Sequence, residues 1–308
     1  MTPPLKKIPY RKPATTFSDQ IQRMRSRGLV VTDIREAEFY LAQINYYRLA
    51  AYCLPFEQDH PSHTFAPGTS FSDILNLYVF DREFRLLLLD AIERIEVSVR
   101  TQMAYHLSHN HGTAHPHLKP DLFHDPLAYG HSISRLASEV RNSKEEFIRH
   151  LTTKYQELLP PIWAVVELMT MGQLSKWFSN IRRRKDRQAI SQVYNLDEQI
   201  MTSFCEHLAL VRNHAAHHSR LWNRDFTKTM KLPRSAPPVL LNSLNILPDT
   251  DRRLRKLYNT LTTIAYLMDT IAPGNNWKTR LKHMLAAHSI DIGRMGFPSD
   301  WHARPVWV

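Results

Sequence analysis

A long stretch from Ser72 to about His109 carries apolar side chains at spacings near 3.6 residues, the period of one face of an α-helix. A helix of this length must pack against other elements, because its apolar face is unstable in water. The stretch therefore predicts a helical bundle in which this segment is a principal member. The apolar positions are Ile74, Leu77, Tyr78, Phe84, Leu88, Ile92, Ile95, Val99 and Met103.

The rest of the chain also favours helices. Only 8 of the 308 residues are glycine, whereas sheet-rich folds and phosphate-cradling loops both use much glycine. We find no sequence repeat, no heptad array and no convincing pair of strands. The chain is therefore predicted to be all-α, with residues 1–308 forming a single elaborated helical domain. Its parts are a core at about 70–225, an N-terminal helical extension at 17–56 and a C-terminal helical extension at 250–308.

Several classes of protein are excluded by composition. No run of about 18 uninterrupted apolar residues occurs, so no membrane span is expected. Residues 1–16 form a basic, proline-rich arm without an apolar segment behind it, so no secretory signal is expected. Cys53 and Cys205 are too few for a disulfide framework or a cysteine-rich zinc site. We expect two reduced core thiols in a cytoplasmic protein.

The charge balance indicates a polyanionic partner. Lysine and arginine number 40 against 29 acidic residues, which gives a net charge of +11. Such an excess favours nucleic acid, because each neutralised phosphate releases counterions. An anionic membrane surface is a weaker alternative, and a solvated loop explains the basic run at 182–187 about as well as a phosphate contact does. The candidate RNA contacts are Arg182, Arg183, Arg184, Lys185, Arg187 and Arg220.

A helix capped by Asp197 and running to about Arg220 carries the candidate site. Placing its residues about 100° apart puts Asn213 and His217 on one face, a turn apart, with Arg212 between that face and the core. His218 falls at the edge of the core stripe, so a packed, hydrogen-bonded histidine is expected there. The predicted core stripe comprises Ile200, Phe204, Leu208, Val211 and Ala215.

An imidazole, a guanidinium and an amide on one face suit phosphodiester chemistry. His217 can take or give a proton near neutral pH. Arg212 offers a bidentate fork to a phosphate and stabilises charge on its oxygens, and Asn213 would hold the imidazole in one tautomer. From the residues alone, a polar surface cluster at a helix end explains the pattern at least as well.

The pattern Arg212-Asn213-x-x-x-His217, with the residues up to Arg224, resembles the signature of Abi-like proteins of the AbiD and AbiF type. Further similarities follow in the expected order along nearly the whole chain. They lie at 45–49, at 80–82, at 94–96 with Arg100, at 161–163 with Glu167, at 171–175, and at 295–298 with Trp301.

That family is grouped with the HEPN superfamily, so the resemblance implies a HEPN-like helical bundle with additional N- and C-terminal helices. It also implies a metal-independent endoribonuclease of a phage-defence or toxin–antitoxin system, in which Arg212 and His217 are catalytic and no cofactor is needed. The substrate's 2′-OH would attack the adjacent phosphate and leave a cyclic phosphate. The implied partners are RNA, including a small structured inhibitory RNA, and a second copy in a homodimer.

Three other interpretations remain open. Arg100 and His106 form a second Arg-x5-His pattern, although an ion pair with Glu96 explains Arg100 more simply. The histidines between 106 and 124 match no closed zinc pattern, so no metal is expected. The rival function is a non-catalytic module that grips RNA through the same residues and through Trp163 and Trp177. Outside that interpretation, both tryptophans are expected in the core.

Overall fold

The structure is a computed structural model that describes residues 9–308, so the first eight residues of the predicted basic arm lie outside it. Over these residues the fold is all-α, as predicted, with thirteen α-helices and one two-stranded antiparallel sheet. The helices are α1 (Phe17–Ser26), α2 (Ile34–Gln43), α3 (Tyr46–Cys53), α4 (Phe71–His111), α5 (Pro126–Asn142), α6 (Glu146–Lys154), α7 (Ile162–Val165), α8 (Met171–Asn180), α9 (Arg184–Gln192), α10 (Glu198–Ala216), α11 (Pro238–Leu241), α12 (Tyr258–Ile271) and α13 (Trp277–Ala287).

The described chain divides into two compact units, one ending at Phe80 and the other running from Asp81 to Val308. The first unit contains α1, α2, α3, the start of α4, and the sheet of β1 (Glu57–Asp59) and β2 (Thr64–Phe65). The expectation of no strand pair was wrong here. Strands of three and two residues are too short to show the alternation by which a strand is recognised in a sequence.

The second unit is built on the remainder of α4 and on α5 to α13. α4 extends from Phe71 to His111, close to the predicted limits, and buries every predicted apolar position except the half-buried Tyr78. α10 packs chiefly against α8 and α9. The helix that carries the candidate site is therefore held by tertiary packing along its length.

The C-terminal part of the chain braces the segment that follows α10. Lys256 donates from Nζ to the side-chain oxygen of Asn223 at 2.6 Å and lies 2.7 Å from a carboxylate oxygen of Asp225. Trp277 of α13 donates from its ring nitrogen to the carbonyl of Leu87 in α4 at 2.8 Å. The Lys256 contacts fix the chain on the exit side of the candidate site, and the Trp277 bond joins α13 to α4.

Both cysteines are buried and unpaired, as predicted. Between residues 9 and 308 no helix combines the length and the apolar character that crossing a membrane requires.

The stability of the fold should fall in mild acid because of His117. This side chain is only 1% exposed, and burial lowers its pKa to about 4, assisted by the neighbouring His115. The unfolded chain has a histidine pKa near 6.5, so it binds more protons than the folded chain as the pH falls below that value. We expect His117 to cost roughly 2 kcal/mol of unfolding free energy between pH 7 and pH 4.5.

Urea unfolding of the wild type and of His117→Gln at both pH values measures this effect. The variant should lose roughly 2 kcal/mol less than the wild type over that interval, whatever its stability at pH 7. Equal losses in the two proteins would contradict the assignment to His117.

Candidate functional site

α10 ends at Ala216, four residues before the predicted end, and His217 is its C-cap. His218 takes the left-handed conformation at φ 56°. The N–H of Ser219 donates to the carbonyl of His214 at 2.9 Å, and the N–H of His218 donates to that of Ala215 at 3.1 Å. These two bonds form a Schellman motif that closes the helix directly after His217.

The expectation that His218 packs at the edge of the core was wrong, because its side chain is exposed. The helical wheel assumed a helix that continued to Arg220, whereas the chain turns away at His217. Glycine is the usual residue at the left-handed position of this motif, since it has no Cβ. A histidine there gave no sequence signal for the end of the helix.

The other positions that the helical wheel predicted for α10 are confirmed. Phe204, Leu208, Val211 and Ala215 are buried, and Ile200 is half-buried. The side chains of Asn213 and His217 are exposed a turn apart, with the His217 N–H donating to the Asn213 carbonyl at 2.9 Å. Arg212 is half-buried between the two faces. The sequence thus predicted the exposed face of α10 correctly.

Arg212 lies beside a carboxylate that belongs to α4. Burial raises the pKa of Glu96, and the positive charges of Arg100 and Arg212 partly oppose this rise. Among residues 9–308 the Arg212 guanidinium makes no hydrogen bond or ion pair of its own. The half-buried Arg212 thus lies within electrostatic range of one carboxylate, and its donors are available for an anion.

Arg100 reaches the same carboxylate from within α4. It forms an ion pair with Glu96, donates from Nη1 to Glu167 at 3.2 Å, and donates from Nη2 to the carbonyl of Met169. The charges of two guanidinium groups from different helices thus act on Glu96. Sequence reasoning had given Glu96 only the role of a partner for Arg100, because the approach of Arg212 depends on how α4 and α10 pack.

The two residues of the second predicted pair, Arg100 and His106, contact different neighbours. Arg100 makes the ion pair with Glu96 that explained it more simply. His106 is half-buried with its ring 5.3 Å from that of Tyr105, and burial together with His109 lowers its pKa. A catalytic role for Arg100 with His106 stays a prediction.

His214 is a neighbour of the site that sequence reasoning missed. Its ring lies 5.8 Å from that of Phe226, and burial lowers its pKa, with smaller contributions from the charges of Arg224 and His217. The site therefore carries two imidazoles. That of His214 is half-buried and favours the neutral form, and that of His217 is exposed. The sequence did contain a signal that His214 belongs to the site. It lies three residues before His217, so the two side chains are neighbours on the helix surface.

The basic run lies at the other end of α10. Arg187 donates from Nε to Glu198 at 2.7 Å, and Arg184 approaches the same carboxylate at 3.4 Å, so both help to hold the first turn. Arg182 donates to the carbonyl of Phe123 at 3.1 Å. The exposed side chains of this run are Arg182, Arg183, Arg184 and Lys185, whereas Arg187 is half-buried.

The structure does not bring this run together with the candidate catalytic residues. Glu198 and Arg212 lie on one continuous helix, and its rise places them about 21 Å apart. Arg220 lies nearer to the site, beyond the end of α10. It is half-buried, and its carbonyl accepts a hydrogen bond from Arg224 at 2.7 Å.

The groups at the site are nitrogen donors together with the Glu96 carboxylate. Within residues 9–308, no three histidine, cysteine, aspartate or glutamate side chains come together in a way that could hold a metal ion. Chemically, the arrangement of Arg212, Asn213 and His217 can bind an oxyanion and transfer a proton.

Comparison with known proteins identifies a family. The family model described as Abi-like protein matches residues 39–223. The matched segment contains Glu96 and Arg100 on α4 and Arg212 and His217 at the end of α10. No curated protein and no solved structure gives a significant match to the chain.

Proposed function

The chain belongs to the Abi-like protein family, and from that premise we propose that it is a metal-independent endoribonuclease of a phage-defence or toxin–antitoxin system. The family suggests a role in abortive infection of phage-infected cells. The observation that carries the proposal of ribonuclease activity is the pairing of a half-buried Arg212 with an exposed His217 at the capped end of one helix.

The reaction is an attack by the RNA's own 2′-hydroxyl on the adjacent phosphorus. The bond between O2′ and phosphorus forms, the bond from phosphorus to O5′ breaks, and a cyclic 2′,3′-phosphate remains. The hydroxyl proton passes to a base, and an acid gives a proton to the departing O5′. His217 takes one of these two roles, since a positioned imidazole can serve as a general acid or a general base.

Arg212 stabilises the charge that develops on the non-bridging phosphate oxygens. Its position supports this role, because the half-buried guanidinium makes no hydrogen bond or ion pair of its own within residues 9–308 and can direct its donors to a phosphate. Asn213 is exposed one turn before His217, where its amide can orient the imidazole or the phosphate. The substrate would bind across this exposed face.

The reaction needs both an acid and a base. A symmetric dimer of two chains would bring two copies of His217 together and supply both groups, which is why we propose a homodimer. Cytoplasmic RNA is the proposed substrate, and a small structured RNA is the proposed inhibitor. The exposed arginines at 182–184 with Lys185 would contact the RNA backbone at a distance from the reacting phosphate.

A non-catalytic RNA-binding module is the second candidate function. It is supported by Trp163, which is exposed, contrary to the expectation that it lies in the core. Trp177 is buried, so the expected core position is confirmed for that residue and it offers no surface to RNA.

Incubation of the purified protein with structured cellular RNA tests the proposal. We expect cleavage that persists in excess chelator and that leaves cyclic phosphate ends, whereas a DNA of the same sequence stays intact because it lacks the 2′-OH. His217→Ala should remove cleavage and preserve RNA binding.

The matched control is His283→Ala, which removes an exposed histidine from α13. This variant should cleave like the wild type. Equal RNA binding without cleavage in the wild type, even after any copurified RNA is removed, would support the binding module and overturn the enzyme.

A further inference from the structure

Trp163 differs from every other tryptophan of the chain in its exposure. Its side chain is 54% exposed, whereas the other five are at most 3% exposed. A half-exposed indole carries a large apolar surface that water solvates poorly. The five buried tryptophans are Trp177, Trp222, Trp277, Trp301 and Trp307.

The local helix directs Trp163 and Glu167 to the same side. α7 continues into a 3-10 turn at Val166–Leu168. From residue 162 to residue 167 the side chains at 163 and 167 are exposed, and the four others are buried. Residues four apart are neighbours on a helical surface, so the indole lies about one turn from the Glu167 carboxylate.

A short series of contacts connects this surface to the candidate catalytic arginine. Glu167 accepts a hydrogen bond from Arg100 at 3.2 Å, and Arg100 is paired with Glu96. Arg212 is close enough to Glu96 for its charge to act on that carboxylate. A series of contacts within the second unit therefore links the exposed indole to the guanidinium that is predicted to bind phosphate.

The charges indicate which part of a nucleotide would face the indole. Glu167 is exposed and acidic beside Trp163, so it repels a phosphate there. An unpaired base is neutral and can stack on an aromatic face. Its edge carries N–H donors from which a carboxylate can accept hydrogen bonds. The phosphate fits the Arg212 end of this series of contacts, and the base fits the Trp163 end.

We propose that Trp163 is the stacking platform for an unpaired base next to the phosphate held by Arg212, with Glu167 accepting a hydrogen bond from the edge of that base. This assignment rests on the proposed function, because it uses the same site and the same substrate. It makes the protein selective for single-stranded segments, since a base inside a duplex cannot reach the indole.

Intrinsic fluorescence tests stacking separately from cleavage. The experiment uses the His217→Ala protein, so the RNA stays intact, with a single-stranded oligoribonucleotide and a fully paired duplex of the same sequence as probes. We expect the single strand to quench the tryptophan emission and the duplex to leave it largely unchanged. The quenching should disappear in His217→Ala/Trp163→Phe, because the remaining tryptophans are buried.

Steady-state cleavage tests the consequence for function. Trp163→Ala should raise KM for a single-stranded substrate about tenfold with little change in kcat, while Trp163→Phe stays near the wild type because phenylalanine also stacks. Leu127→Ala is the matched control, since Leu127 is 81% exposed and apolar on α5. It should change neither constant, and circular dichroism should show all three variants folded.

Three results would overturn the assignment. They are quenching that persists without Trp163, an unchanged KM in Trp163→Ala while the wild type cleaves RNA, and quenching that rises with protein concentration in the absence of RNA. The last result would identify the indole as a contact between copies of the chain. If no protein cleaves RNA, the proposed enzyme fails, and the fluorescence result still decides whether Trp163 stacks on a base.

Discussion

Replacing Arg212 by alanine is expected to lower the rate of RNA cleavage about 1000-fold, because the donor that faces the developing phosphate charge is removed. Lysine at this position should restore only a small part of the rate. It keeps the charge but lacks the planar pair of donors that matches two phosphate oxygens. The fold should tolerate both changes, since the Arg212 guanidinium makes no hydrogen bond or ion pair within residues 9–308.

Single-turnover cleavage with saturating protein measures this rate without a contribution from RNA affinity. The comparison variant is Arg183→Ala, which removes an exposed arginine from the basic run. That change should weaken binding in a salt-dependent manner and leave the single-turnover rate unchanged. A rate in Arg212→Ala within about threefold of the wild type would show that Arg212 does not stabilise the transition state.

Substitution of Asp81 by alanine should lower the unfolding free energy by about 3–5 kcal/mol. Asp81 is fully buried and accepts hydrogen bonds from the backbone N–H groups of Leu221 at 3.0 Å and Trp222 at 2.7 Å. It also forms a buried ion pair with Arg85. Alanine would leave both N–H groups and a buried guanidinium without this carboxylate, and each loss is costly.

Urea unfolding followed by circular dichroism measures the change. Asp90→Ala is the control, because Asp90 also lies on α4 and pairs with Arg94 and Arg280, but in contact with water. Ion pairs in contact with water contribute little to stability, so we expect Asp90→Ala to lower the unfolding free energy by less than about 1 kcal/mol. Equal losses in the two variants would contradict the special role given to the buried carboxylate. Asp81→Ala should also impair cleavage, since Leu221 follows His217 closely along the chain.

The sequence was sufficient to predict features that depend on burial along a single helix. α4 and the core stripe of α10 were predicted because a buried face imposes a period of about 3.6 residues on the side chains. The exposure of Asn213 and His217 followed from the same argument. The end of α10 was placed too late, because histidine rather than glycine occupies the left-handed position at residue 218.

Features that depend on packing between helices could not be predicted in this way. The approach of Arg212 to Glu96 joins residues more than a hundred positions apart, and no local pattern encodes it. The position of Trp163 was misjudged because residue type indicates the core for most tryptophans, and only the surrounding structure shows which one is exposed. The family resemblance supplied roles for Arg212 and His217 that their spacing alone left open.

α10 places Glu198, which pairs with Arg184 and Arg187 of the basic run, about 21 Å from Arg212. At about 3.4 Å per nucleotide, the spacing along one strand of B-form DNA, this distance corresponds to about six nucleotides. For the proposed RNA substrate, the length of α10 would therefore set how many nucleotides are needed to reach both regions. A fragment shorter than this on one side of the cleaved bond would reach the proposed catalytic residues without contacting the basic run. We therefore expect RNA binding to weaken as the products of earlier cuts become shorter.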